Sequence, residues 1–384
     1  MKITKIHPHI VFGGWRNWVF VEVQTDAGLT GYGEATLEGK EQAVVGALED
    51  FSRYLLGKDP RRVELHWAAM YRDSYWRKGA VLTTALGALE IAMWDILAKS
   101  LGVPIYQLFG GPVRTDVPAY ANGWYFGAET VDEYIERALE TVRQGFKALK
   151  WDPFRLSDTT INREDERFAL ECVGAVREAV GLEVALLIEA HGRFNPTTAL
   201  RLIRKLEPFD ITWFEEPVPP DQLSGLAAVS RVSPIPIAAG ERFYTRYDFL
   251  EPLTNGSLHY AQPDILHTGG LAETRKIAAI AEAVGVQVCP HNAAGPVGTA
   301  ATLQLAASIP NFGMLEYFYH DAPWRDDICT PAIKVVDGFA QVPDAPGLGL
   351  TLDHAVAEAH PYQPMDLQFF AEDSTLTRSP LEAT

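Results

Sequence analysis

The chain has 384 residues, enough for a barrel of about 250 residues with a further domain beside it. It carries 33 Lys and Arg against 50 Asp and Glu, a formal charge of −17. That balance argues against nucleic-acid and anionic-membrane partners, and an anionic substrate would need a metal or basic group to reverse the field locally. No run approaches the roughly 20 continuous apolar residues of a membrane span, and Met1 to His7 lacks the apolar core of a signal peptide. The three cysteines, Cys172, Cys289 and Cys329, have no short paired spacing, which argues against a disulfide framework or zinc site and points to a reducing cytoplasm.

Residues 1 to about 40 read as a small antiparallel sheet. Residues 19–25 alternate like a half-buried strand, Asp26-Ala27-Gly28 makes a short turn, and residues 30–35 return. Ahead of them lies Phe12-Gly13-Gly14-Trp15-Arg16-Asn17-Trp18. This tip either docks an aromatic on the body or covers a substrate, with Trp15 and Arg16 as its gripping residues. From Lys40 to Ser100 the pattern turns helical. Residues 83–99 are apolar over most of their circumference, which suits a helix buried between a cap and a second domain. A stretch rich in Gly and Pro, residues 102–112, breaks that pattern. The expected organisation is an α+β capping domain over 1–115, a barrel with the active site over 116–350, and a segment over 351–384 that packs back on the cap.

Eight strand candidates with helical intervals fill the middle of the chain: 117–121, 146–152, 184–189, 211–215, 235–241, 259–264, 286–291 and 313–316. Three consecutive ones end in an acid, Glu189, Glu215 and Glu241, and the spacing is 26 residues both times. A strand, a crossover helix and two short loops take roughly 25–30 residues, so this is the period of consecutive βα units. The C-terminal ends of barrel strands converge on one mouth, which brings the three acids together. Like charges that close repel unless a cation lies between them, and oxygen-only ligands of this hardness favour Mg²⁺.

Several segments carry a family resemblance: Trp94-Asp95, Glu189-Ala190-His191-Gly192-Arg193, Trp213-Phe214-Glu215-Glu216-Pro217, Gly240-Glu241-Arg242, Gln262-Pro263-Asp264, Pro290-His291 and Leu315-Glu316. Together they resemble the mandelate racemase branch of the enolase superfamily over nearly the whole chain, and within it the galactonate type of acid sugar dehydratase. The resemblance implies a modified TIM barrel, (β/α)₇β, capped by a domain built from both termini. It also implies one Mg²⁺, a homo-oligomer, and removal of the proton next to a substrate carboxylate by a Lys or His base. Racemases of this branch carry Lys-x-Lys on the second strand, where this chain reads Lys150-Trp151-Asp152. An aspartate stands at the second lysine, so two-base racemisation loses a partner. The first metal ligand, usually aspartate, is Glu189 here.

Chemistry then assigns candidate roles. His291 is the base, with Asp264 accepting from its other ring nitrogen to fix the tautomer. His191, two residues after Glu189 and so on the same face of a strand, is the general acid for a departing hydroxide. Glu316 is expected to donate a hydrogen bond to the enediolate, the alternative being an ion pair with Arg or Lys. Lys150 either binds the substrate carboxylate or neutralises the acids. Asp152, Tyr244, Arg246 and Asn292 join Trp15 and Arg16 as candidate substrate contacts. The expected reaction is dehydration of a small sugar acid, an aldonate such as galactonate, to a 2-keto-3-deoxy acid. Epimerisation, racemisation or cycloisomerisation of a carboxylate, or a scaffold without turnover, are the rival readings.

Overall fold

Alternating apolar side chains over the first residues produce a three-stranded antiparallel sheet in the computed structural model, which describes residues 1–73 and 75–365. Its strands are β1 (Ile3–Phe12), β2 (Asn17–Thr25) and β3 (Thr30–Glu34). Val19, Val21 and Val23 face the helices α1 (Glu41–Leu55), α2 (Val63–Ala68) and α3 (Ala80–Leu101) in one buried cluster. Trp18 and Phe20, on the opposite face, belong to the core shared with the barrel. A short helix, α4 (Ile105–Leu108), ends this part of the chain.

By length and composition α3 could cross a bilayer, but it is a core helix, with 14 of its 22 residues buried. It lies so close to β3 that only glycine fits there: a Cβ on Gly31 or Gly33 would sit 2.1 or 1.9 Å from the carbonyl oxygens of Ala92 and Ala88. Two buried acids of α3 tie the cap to the rest. Asp95 accepts from the backbone N–H of Tyr32 and Leu348, at 2.9 and 2.7 Å.

Glu90 accepts from Leu271 and Ala272 at 2.8 and 2.9 Å, so a side chain of the cap closes the first turn of a barrel helix. Its burial is opposed by those donors and by Trp94, and the balance pushes its pKa up to about 8. Each buried group left unsatisfied costs about 1–3 kcal/mol. Glu90→Ala should therefore lower the thermal midpoint by several degrees, and an unchanged midpoint would remove this role.

From Asp116 strands alternate with helices. The order is β4 (Asp116–Asn122), α5 (Val131–Arg143), β5 (Ala148–Trp151), α6 (Arg163–Val180), β6 (Ala185–Glu189), α7 (Pro196–Leu206), β7 (Ile211–Glu215) and α8 (Leu223–Ser230). It continues with β8 (Ile237–Ala239), α9 (Thr245–Thr254), β9 (Tyr260–Ala261), α10 (Leu271–Ala283), β10 (Gln287–Val288), α11 (Pro296–Ser308) and β11 (Leu315–Phe318). Local signals start several of these helices: Thr130 and Glu133 form a capping box before α5, and Asn162 and Asn195 cap α6 and α7.

Strands β4 to β10 pair in parallel in sequence order, and β11 pairs with β4. A single bridge, Val288 to Phe312, closes the ring beside β10. Among the described residues this is a barrel of eight parallel strands joined by seven helices, the (β/α)₇β form. Several strands are shorter than the sequence pattern suggested, β9 and β10 covering two residues each. Both run directly into the loops that carry Asp264 and His291.

After the barrel come β12 (Cys329–Thr330), β13 (Val335–Val336), β14 (Phe339–Gln341), β15 (Thr351–Leu352) and α12 (His354–Ala359). β14 adds antiparallel to β4. Beyond α12 the chain returns to the N-terminal sheet, where the N–H of Phe12 donates to His360 O at 2.9 Å and Gln363 N donates to Asn17 Oδ1 at 3.1 Å. Residues 366–384, the remainder of the segment expected to pack on the cap, lie outside the described residues.

Candidate active site

Inward side chains recur every second residue along a barrel strand. Tyr120, Ala148, Leu187, Trp213, Ala238 and Cys289 form a buried layer inside the barrel, with Met314 packed against it. Two residues further along the same strands stand Asn122, Lys150, Glu189, Glu215, His291 and Glu316. One register step therefore separates an apolar plug from a polar site. On β8 that step falls on Gly240, with φ +140°, where a Cβ would lie 2.7 Å from the Phe249 ring. The turn this glycine permits presents the next residue, Glu241, in its place.

Carboxylate oxygens of Glu189, Glu215 and Glu241 lie within 4.8 Å of one another. Burial first, and then the neighbouring carboxylates, raise Glu215 well above the usual range; burial likewise takes Glu189 to about 7 despite the pull of Lys150. Buried acids that favour a shared proton over full ionisation are a donor set suited to a divalent cation, which stabilises the ionised form. Glu189, Glu215 and Glu241 fit that role.

Lys150 is not free to bind a substrate carboxylate. Its Nζ lies 2.8 Å from Glu215, 2.8 Å from Glu316 and 3.4 Å from Glu189, so it neutralises the acids. The Glu316 expectation is also corrected. Burial would raise its pKa, but Lys150 and His291 outweigh burial and lower it. Its oxygens accept from Asn122 Nδ2 at 2.7 Å and from the Asn292 backbone at 2.8 Å. An ionised carboxylate so surrounded accepts hydrogen bonds and has no proton to donate.

Asn292, expected at a substrate hydroxyl, spends its side chain on Thr299, Thr302 and the Glu316 carbonyl. Asp152, placed among the substrate contacts, instead accepts from His191 Nδ1 at 2.7 Å, from Arg193, and from the Phe154 backbone.

Two His–Asp couples result. His291 Nδ1 lies 2.7 Å from Asp264 Oδ2, and its Nε2 is 3.6 Å from Glu241. Burial would lower the His291 pKa, but Glu241 and Asp264 outweigh burial and raise it well above the usual value; a cation held by Glu241 would offset the larger of those pulls and favour the neutral ring that a base needs. His191 with Asp152 is the second couple. It does not reach the site by strand alternation: the chain leaves β6 at Glu189, and His191 sits in a left-handed conformation, φ +49°. Its backbone N–H donates to Glu189 Oε1 at 2.7 Å, which ties the turn to a carboxylate of the cluster. A non-glycine residue held there is backbone strain that the surrounding hydrogen bonds sustain.

The tip between β1 and β2 docks at the rim. Trp15 packs 5.2 Å from Phe318 and 5.9 Å from Phe126, and Phe318 follows Glu316 by two residues on β11. Arg16, expected to grip substrate, is fully buried and pairs with Asp321 at 2.9 Å, also donating to Ala294 O, so its Nη2 pins the tip. Tyr244 donates its backbone N–H to Asp248 and begins α9. Arg246, expected at the substrate, pairs with Glu273 on α10.

Sequence reasoning passed over Asn122, Arg193, Trp213, whose Nε1 donates to Glu215 at 2.9 Å, and Arg242, whose Nε donates to Glu216 at 3.1 Å. Asn122 had a readable signal, being the polar residue that ends the first barrel strand.

A capped (β/α)₇β barrel with acids at the ends of three consecutive strands and a His–Asp couple on either side of them defines the enolase class of fold and site. Residues 6–110 match the Mandelate racemase / muconate lactonizing enzyme N-terminal domain, and residues 133–356 match the Enolase C-terminal domain-like family. The chain belongs to the mandelate racemase/muconate lactonizing enzyme family. It is 36% identical over 373 residues to a D-gluconate dehydratase of Thermoproteus tenax, covering 95% of this chain and 75% of the relative. It is 36% identical over 361 residues to a D-galactonate dehydratase of Variovorax paradoxus, covering 92% of each. Among solved structures, a mandelate racemase/muconate lactonizing enzyme from Sulfitobacter superposes with a TM-score of 0.89 at 36% identity, covering 94% of this chain and 96% of that one.

Proposed function

We propose that this chain is a hydro-lyase that removes water from an aldonate, taking the C2 proton and the C3 hydroxyl to leave a 2-keto-3-deoxy acid. The observation that carries the proposal is the pair of His–Asp couples, each closed at 2.7 Å, on barrel strand ends that flank those of the acid cluster. Dehydration needs a base for C2 and an acid for C3, and one couple serves each. His291, its Nδ1 held by Asp264, takes the C2 proton; His191, held by Asp152, protonates the departing hydroxide. Glu189, Glu215 and Glu241 would hold Mg²⁺, the cation their hard oxygens favour, which when bound supplies charge stabilisation for the second negative charge that develops as the α proton leaves. Lys150 keeps the surrounding carboxylates compatible with an anionic substrate.

The gluconate and galactonate named for the two relatives differ only at C4. Other relatives, 34% and 35% identical, are named for D-mannonate, which differs from gluconate at C2; loss of water across C2 and C3 is common to all of these names. The test is a panel of aldonates and aldarates assayed for 2-keto acid. Turnover should vanish in EDTA and return with Mg²⁺, and Glu215→Gln should weaken metal binding. Full turnover by metal-free protein would remove the cation from the proposal. Exchange of the C2 proton without keto acid on every substrate would replace dehydration by epimerisation.

A further inference from the structure

A second group of metal-ligating side chains lies in the cap, apart from the acid cluster. His7 and His9 are two apart on β1 and therefore share a face. In the antiparallel register His7 stands opposite Glu22 and His9 opposite Phe20, so Glu22 is on that same face. The C-terminal helix α12 begins at His354 and lays that side chain over the same spot. His9 Nε2 is 3.2 Å and His354 Nε2 is 3.5 Å from the same oxygen, Glu22 Oε2. The ligand atoms of all three residues lie within 4.8 Å of one another. The His7 ring is centred 4.6 Å from the His9 ring, and the His354 ring 5.1 Å from it.

Those separations match a coordination shell. Ligands held at about 2.1 Å around a tetrahedral zinc ion are about 3.4 Å apart, and the two N to O distances fall on either side of that value. The donors are imidazole and one carboxylate, a set that suits zinc-class divalent cations and contrasts with the all-oxygen cluster in the barrel.

We propose that His9, Glu22 and His354, with His7 or water as a fourth ligand, bind a zinc-class divalent cation that clasps α12 onto the β1–β2 hairpin. The three ligands come from two strands near the start of the chain and from a helix more than 300 residues later. Binding to the folded arrangement alone would stabilise that docking by mass action. This site is independent of the dehydration reading and of the barrel cation.

The test is titration of Mg²⁺-saturated protein with Zn²⁺, and with Co²⁺ as a spectroscopic probe. One equivalent should bind, raise the thermal midpoint by a few degrees (on the order expected for ligand well above Kd), and give the intense visible absorption of tetrahedral rather than octahedral Co²⁺. His354→Ala and Glu22→Gln should each abolish that equivalent and the absorption, leave the circular dichroism spectrum intact and leave aldonate turnover unchanged. Glu215→Gln, which disables the barrel cluster, should retain it. Absence of an equivalent in the native protein, or an equivalent that survives both His354→Ala and Glu22→Gln or disappears in Glu215→Gln, overturns the proposal.

Discussion

His291→Asn is expected to lower aldonate dehydration by about 10²–10⁴, the usual contribution of a positioned general base, and to abolish exchange of the substrate C2 proton with D₂O to the same degree. The two losses travel together because both need the same first step. His291 stands two residues above the apolar plug at Cys289, its Nδ1 is held by Asp264, and its Nε2 faces the acid cluster 3.6 Å from Glu241. Metal affinity should barely change, since the ring is not among the three carboxylates that would hold the cation. Asp264→Asn gives a second reading of the same couple. Asp264 is one of the groups that raise the His291 pKa, so removing its charge favours the neutral ring. The acid limb of kcat/KM should then move to lower pH while the plateau falls, because the ring has lost its orientation. A His291→Asn protein that exchanges C2 at the native rate would transfer the role of base to another residue.

What the sequence made legible was whatever depends on spacing along one strand. The 26-residue period of Glu189, Glu215 and Glu241 followed from one strand and one helix per unit. Illegible were the choices each polar group makes among partners from distant parts of the chain. Lys150 could have faced a substrate carboxylate, but three carboxylates already stand within 3.4 Å. Arg16 and Asp321 are 305 residues apart and meet only because the β1–β2 tip crosses to the rim after β11. Glu316 was read as a proton donor on the expectation that a neighbouring charge raises its pKa, and only the fold shows that the Lys150 ammonium, the His291 ring and the Asn292 N–H lower it instead.

The same limit explains His191 and Asp152. Strand alternation placed His191 on the right side for the wrong reason, since a left-handed turn and not the pleat delivers it. Asp152 looked like a vacated lysine position, whereas it is the partner that fixes a second imidazole. A change that removes a base from one face of the substrate thus supplies the orienting carboxylate for an acid.

His191→Asn should separate the two halves of the reaction. Loss of the 3-hydroxyl as hydroxide is slow without protonation, so 2-keto acid formation is expected to fall by about 10²–10⁴. The C2 proton is handled by His291 on the other side of the acid cluster, so exchange with D₂O should persist and exceed product formation. Asp152→Asn should act in the same direction but less strongly, since it leaves His191 in place and removes its orienting carboxylate, which Arg193 also holds. The measurement is deuterium incorporation at C2 of recovered substrate beside the yield of keto acid, for the native protein and both variants. If His191→Asn abolishes exchange along with dehydration while metal binding is intact, His191 acts at C2. The couple would then be a second base, and the site would be arranged for epimerisation instead of loss of water.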